Sequence, residues 1–243
     1  IARRKADAGR MPSAWEMWCM FDNIMLLLPE IRESVIQTFM MVGISLSAAV
    51  LFGTTLGVYV FMTDKGSISP NRWVNRILNY AINLIRSFPF IILLVVLIPF
   101  TRLVAGTTVG PLAASVPLSI AAIPYFARLV EQALKDVPHG TIEAAIALGA
   151  PKRYIIKDVL LNEARSGLVL ALTVTAVSFI SYSAMAGIVG GGGIGDLAIR
   201  YGYYRFQTDV MIFMVLLLVL LVQLVQMTGS WIARKLDRRH FQE

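Results

Sequence analysis

Charge is scarce in this 243-residue chain. Asp, Glu, Lys and Arg together make up 15% of it, against about 25% in a typical soluble domain. Cysteine is almost absent: Cys19 stands alone, so no internal disulfide can form. The two histidines, His139 and His240, lie far apart with no cysteine or carboxylate cluster beside either, and no metal site is expected. The few charges are also unevenly spread. None lies between Glu33 and Asp64, between Arg102 and Arg128, between Arg165 and Asp196, or between Asp209 and Arg234, and Ile77 to Phe100 holds only Arg86. About 20 mainly apolar residues cross a hydrocarbon core, and all five stretches are that long. With 57% apolar residues and a mean hydropathy of +0.69, an ordinary soluble enzyme is excluded.

The expected fold is all-α: a polytopic membrane protein with spans near 34–62, 77–100, 110–134, 167–189 and 209–232. Helices are required because a lone strand leaves backbone polar groups unsatisfied in lipid, and the runs are too long and continuous for a β-barrel. Lys and Arg accumulate in cytoplasmic loops. Lys65, Arg72, Arg76 and Arg86 follow span one, and Arg128, Lys135, Lys152, Arg153, Lys157 and Arg165 surround the loop after span three. Arg234, Lys235, Arg238 and Arg239 occupy the C-terminal tail, whereas the opposite loops hold only Arg102, Arg200 and Arg205. The 135–165 loop and the C-terminus are therefore cytoplasmic. Topology accounts for the net charge of +7, so no nucleic-acid partner is expected.

The basic N-terminal tail (Arg3, Arg4, Lys5, Arg10, Arg32) would then lie outside, against the rule. Two explanations stay open: a further span before Ile1, or a tail outvoted by the rest. No apolar run with a small-residue cleavage site follows Arg10, so no signal peptide is expected. Residues 1–33 are read as an extension ahead of a 34–243 membrane domain. Met17–Leu28 is too short to span and suits an interfacial helix ending at Pro29.

Span one contains Gly53-Thr-Thr-Leu-Gly57, a spacing that lets helices approach closely. Pro89, Pro99, Pro117 and Pro124 each remove a backbone donor and invite a kink. Arg86 has two readings: it snorkels to the cytoplasmic interface, or it makes a polar contact inside the protein that favours one conformation.

The cytoplasmic loop 135–166 is the most informative segment. Pro138 and Gly140 end one helix, Thr141 is placed to cap the next, and Glu143 in its first turn suits the helix dipole. Ile142, Ala145, Ile146 and Gly149 recur at helical spacing. Gly149-Ala150-Pro151 breaks the chain, and Pro151 can open a second helix striped with Ile155, Ile156, Val159 and Leu160. Two short helices joined by a tight turn follow. The Ala-rich first helix suits a groove on another protein, or the hairpin packs only on its own membrane domain.

Glu143-Ala144-Ala145, Gly149, Ile156 and Leu161 resemble the EAA loop of ABC-importer permeases. Asn162 stands where that family often has Pro, implying a less sharply kinked start to the next helix. Arg86-Ser-Phe-Pro-Phe, Ile98-Pro-Phe-Thr-Arg102, Ile123-Pro-Tyr-Phe-Ala-Arg128, Tyr182 through Gly195 and Tyr201-Gly-Tyr203 resemble the methionine-importer permeases of that superfamily, from about residue 30 to the C-terminus. The resemblance implies a multi-pass protein of the bacterial plasma (inner) membrane with five spans and a homodimer. It also implies two cytoplasmic ATPase subunits carrying ATP and Mg, and an external binding protein. It assigns ATPase coupling to Glu143, Ala144, Ala145, Gly149 and Ala150. It places Tyr182 and Met185, which share a helix face by their spacing, at the constriction of the path.

The chain shows no chemistry of its own. Gly190-Gly-Gly-Gly-Ile-Gly195 is followed by Asp196, so the Lys and Ser/Thr of a Walker A are missing, and a flexible or tightly turning re-entry is the simpler reading. Ser181 and Ser183 have no base near them in sequence, which disfavours an intramembrane protease. An ion-coupled secondary carrier is the remaining alternative. The absence of acids from the five sparse runs weighs against it, because acidic relays are usual in such carriers.

Overall fold

The computed structural model describes residues 24–237, and within them every regular element is a helix. α1 runs Leu28–Thr63, α2 Arg72–Ser87, α3 Phe90–Val96, α4 Ile98–Ala105 and α5 Pro111–Lys135. The cytoplasmic hairpin is α6 (His139–Ala147) followed by a composite α7 over 152–163. α8 (Arg165–Ile188), α9 (Gly193–Leu197, continuing to Tyr203) and α10 (Thr208–Leu236) complete the chain. Among the described residues α1, α5, α8 and α10 are each long and apolar enough to cross a membrane, and α2 with α3 makes a fifth if the bent pair counts as one span.

Three local outcomes differ from expectation. α1 begins at Leu28, not near 34, because Pro29 sits in its first turn, where a missing N–H costs nothing. The 33/34 boundary thus falls inside a helix, and Pro29 lies in the first turn of α1, while most of the expected interfacial segment 17–28 lies outside the described residues. Residues 1–23 of the expected extension lie outside the described residues. Second, no single helix covers 77–100. Asn71 caps α2 early, its side chain accepting from the backbone N–H of Trp73 and Val74 at 3.2 Å. The chain turns extended at Phe88–Pro89 and bends by 99° before α3. Third, Pro117 and Pro124 remain inside α5, whereas Pro89 and Pro99 open α3 and α4.

α5 is the central post. α1 packs along it through the GxxxG. A Cβ on Gly57 would lie 2.6 Å from the Ala127 carbonyl oxygen and 2.8 Å from Val130, and one on Gly53 would lie 2.9 Å from the Ile123 carbonyl oxygen. Close approach between these helices therefore requires glycine. The small-residue motif is used within the subunit.

The two ends of the bundle are closed differently. At the cytoplasmic end Lys135 bridges Glu131 (2.7 Å) and Asp64 (3.0 Å), and Arg128 pairs with Glu131 (2.6 Å) and Asn83 (2.9 Å). Arg165 and Ser166 donate to the Leu236 and Ala233 carbonyls at the end of α10. At the outer end the glycine run is a tight re-entry. Gln37 and Thr38 of α1 accept from the backbone N–H of Gly193 (2.8 Å) and Ile194 (3.0 Å), capping α9 from another helix. Gly110 donates to the Gly190 carbonyl at 2.9 Å, and Tyr201 donates to Glu30 at 2.8 Å. Gly192 and Gly193 have φ of +77° and +84°, conformations that side chains rarely adopt.

Candidate functional site

The cytoplasmic hairpin is fixed by backbone geometry. α6 starts after Pro138 with no side-chain cap. Thr141 is not the cap but lies in the first turn, its N–H donating to the Pro138 carbonyl at 3.1 Å. Glu143 consequently falls beyond that turn, where the dipole has little hold on it. The end of α6 is a Schellman motif. Ala150 N–H reaches the Ala145 carbonyl (3.1 Å) and Gly149 N–H the Ile146 carbonyl (2.9 Å), with Gly149 at φ +73°. Ala145 and Ile142 are buried, and Ala150 packs on the same core. Glu143, Ala144 and Gly149 face outward. Beside them Ile146 is 52% and Leu148 87% exposed. Leu148 was not singled out by sequence reasoning. Its signal was available: an apolar residue immediately before a C-terminal glycine, on a segment outside the lipid.

The hairpin is strapped to the membrane domain by Lys152, which donates to Ser69 at 2.6 Å, just beyond the Asp64–Lys135 pair that joins the ends of α1 and α5. Lys135 holds the Asp64 carboxyl below its ordinary value, chiefly by hydrogen bonding. Ile142, Ala145, Ile155 and Leu160 join a hydrophobic core that continues through Leu134, Val130 and Phe126 to Phe179 and Phe90.

That core ends in an aromatic cluster at the α2–α3 bend. Tyr182 stacks on Phe90 (4.9 Å between centroids, 8° between planes) and meets Phe179 edge-on at 5.1 Å. Phe179 meets Tyr125 edge-on at 5.8 Å, and the Tyr125 and Ser178 hydroxyls lie 3.0 Å apart. The structure separates the two expected gate residues. Tyr182 lines a cleft of about 270 Å³ with Arg86, Phe90 and Tyr125. Met185, 40% exposed, lines a different, apolar groove of about 620 Å³ between α8 and α10. Three residues along a helix is a turn minus about 60°, enough to bring two neighbours to opposite sides of a ridge.

Arg86 does not snorkel to the cytoplasmic end. It lies in the last turn of α2, its guanidinium 5.9 Å from the centroid of the Tyr125 ring. Glu131, 3% exposed within α5, is an acid that the count of charge-free runs overlooked because it follows Arg128. It accepts from both Arg128 and Lys135 and is thereby compensated. Ser183 donates to the Ile180 carbonyl of its own helix at 2.7 Å, and Ser181 to that of Val177 at 3.4 Å.

The family described as "binding-protein-dependent transport system inner membrane component" matches residues 49–242. The chain belongs to this family. A probable D-methionine transport system permease protein of Vibrio cholerae is 46% identical over 84% of this chain and 90% of its own length. A methionine import system permease protein of Bacillus subtilis is 39% identical over 74% of this chain and 81% of its own. Among solved structures, an inward-facing conformation of the MetNI methionine ABC transporter contains a chain 42% identical, with a TM-score of 0.86 over 87% of this chain and 98% of that one. The protein is accordingly a multi-pass permease of the bacterial inner membrane, a transport subunit that is not itself an ATPase. That overturns both the ion-coupled carrier and the protease.

Proposed function

We propose that this permease is the membrane subunit of an ATP-driven methionine importer, working as a homodimer with two cytoplasmic ATPase subunits and an external binding protein. ATP and Mg would be held by the ATPase subunits. The methionine assignment is supported by the names of relatives 39–46% identical to this chain. The family match over 49–242 supports reading 34–243 as the permease domain.

The observation that carries the coupling assignment is the exposed apolar tip of the hairpin. Leu148 and Ile146 lie in the water-facing region, on a turn held by two backbone hydrogen bonds. Covering such adjoining apolar side chains with a partner is favourable. Ala144 and Ala147 let the helix seat deeply in a groove. Glu143, Ala144, Leu148 and Gly149 therefore present the face of a knob that an ATPase subunit grips, and Ala145 and Ala150 seat that knob on the permease's own core. Closure of the ATPases on ATP moves the paired knobs together, and the packed core passes the displacement to the spans. ATP drives this only through its different affinity for the two states.

At the other end of that core, Tyr182 and Met185 act as the gate from two sides. Tyr182 seals within the subunit through its stack on Phe90. Met185, exposed and adaptable, seals against the second copy. Met185→Ala dimers in liposomes should leak a small solute, and an unchanged barrier would count against this role.

The deciding experiment is uptake of labelled methionine into proteoliposomes holding permease, ATPase and binding protein. Uptake should require ATP and all three. Glu143→Lys, Gly149→Trp and Leu148→Asp should each abolish it while the permease still inserts and folds. Normal uptake with these changes would sink the coupling assignment, and uptake without ATP would sink the importer.

A further inference from the structure

Arg86 occupies an unusual depth. The Tyr125 ring beneath its guanidinium belongs to α5, ten residues before the cytoplasmic end at Lys135. At 1.5 Å per residue that is about 15 Å into the membrane, near the middle of a hydrocarbon core about 30 Å thick. Arg128, closer to the end, is engaged by Glu131 and Asn83. Arg86 has no acid partner among the described residues. A cation at this depth facing lipid is costly, so the cleft it lines must open on water or on a polar neighbour, the side along which a solute travels.

The remaining walls of the cleft have a matching chemistry. Phe90, Tyr182 and Tyr125 present aromatic surface, and no carboxylate lines the cleft. The Tyr125 ring is held by its hydroxyl contact with Ser178 and by the edge of Phe179, so this surface is rigid before any solute arrives. A guanidinium fork matches a carboxylate with two parallel hydrogen bonds. Aromatic faces and edges accept apolar side chains and favour a thioether. An ammonium group would find no carboxylate there, only the aromatic faces of Phe90, Tyr125 and Tyr182. At about 270 Å³ the cleft suits one amino acid, not a peptide.

We propose that Arg86, with Phe90, Tyr125 and Tyr182, forms an intramembrane subsite that holds the carboxylate and apolar side chain of the amino acid in transit. The subsite deepens, and rests on, the amino-acid importer reading above. It makes the permease a second reader of the substrate, behind the external binding protein, and it requires a free carboxylate.

The test uses the complete assembly in proteoliposomes, with Arg86→Gln and Arg86→Lys measured for ATP-driven methionine uptake and for thermal midpoint. Arg86→Gln should reduce uptake about 10- to 100-fold, the range for one charge-assisted hydrogen-bonded pair. Arg86→Lys should recover part of it, keeping the charge but losing the fork. The midpoint of Arg86→Gln should equal or exceed that of the wild type, because a mid-membrane cation without an acid partner has been removed. Uptake by Arg86→Gln within twofold of wild type would overturn the subsite and leave the importer reading standing. Loss of uptake with a matching fall in midpoint in both variants would assign Arg86 a structural role instead. A wild type that imports no amino acid would overturn both.

Discussion

Replacing Gly57 separates a packing role inside the subunit from one between subunits. A Cβ there would sit 2.6 Å from the Ala127 carbonyl oxygen and 2.8 Å from Val130. Ordinary carbon contacts lie at about 3.5–4.0 Å, so α1 and α5 would have to part locally by roughly 1 Å. A gap of that size forfeits about a quarter to a half of each affected contact, and overpacking typically costs about 1–3 kcal/mol. Alanine returns about 1 kcal/mol through helix propensity, leaving Gly57→Ala destabilised by roughly 0–2 kcal/mol. Gly43 is the internal control. It lies on the same helix, and nothing stands within 4 Å of a Cβ built there. Gly43→Ala should be neutral or stabilising by up to about 1 kcal/mol. The two variants should therefore differ by about 1–3 kcal/mol, a gap of several degrees in thermal midpoint. Gly57→Leu should widen it. The assay is thermal unfolding of the purified permease with size-exclusion chromatography beside it. The reasoning fails if Gly57→Ala is as stable as Gly43→Ala, or if Gly57→Leu yields dissociated but undestabilised subunits.

Further outcomes follow from the two closed ends of the bundle. Gln37→Leu and Thr38→Val should each lower the thermal midpoint by the equivalent of about 1 kcal/mol, the usual worth of a helix cap. Equal midpoints would show that α9 needs no help from α1. Asp64, held below the ordinary carboxylate value by Lys135, stabilises the fold fully above the unfolded value of about 3.9 and loses that contribution as pH falls through its lowered folded value. The midpoint difference between wild type and Asp64→Asn should thus be constant from pH 7 to about 5 and shrink only below about 4. A difference that faded near pH 6 would point to another group. Ser69→Ala, which removes the acceptor of Lys152, should lower methionine uptake more than it lowers the thermal midpoint if the strap carries motion from the hairpin.

Much of the fold was legible because hydrocarbon imposes simple demands. Long charge-free runs became α1, α5, α8 and α10, and the basic loops gathered at one end. The EAA-like residues were legible as a hairpin because Gly149 and Pro151 punctuate it. What the sequence hid depends on contacts between distant segments. The early start of α2, set by the Asn71 cap, was not visible in hydropathy, whereas the bend at Phe88–Pro89 was signalled by Pro89 but not its size of 99°. Glu131 escaped notice because hydropathy treats a compensated buried acid as the edge of a loop. The divergence of Tyr182 and Met185 follows from which ridge of α8 each occupies, something a spacing rule averages away. Leu148 would have been found by asking which apolar residues lie outside the lipid with nothing to cover them.

The cross-helix cap has a consequence for how the chain is built. Gln37 and Thr38 receive the N–H groups of residues 156 positions later. During synthesis α1 enters the membrane carrying acceptors whose partners do not yet exist, and those acceptors wait until α8 has crossed and the glycine turn has re-entered. The outer face can therefore close only after residues 193 and 194 have followed α8 through the membrane. A nascent permease stalled before Gly193 keeps this lock open, so the same two hydrogen bonds that hold the turn also mark that α8 and the glycine turn are in place.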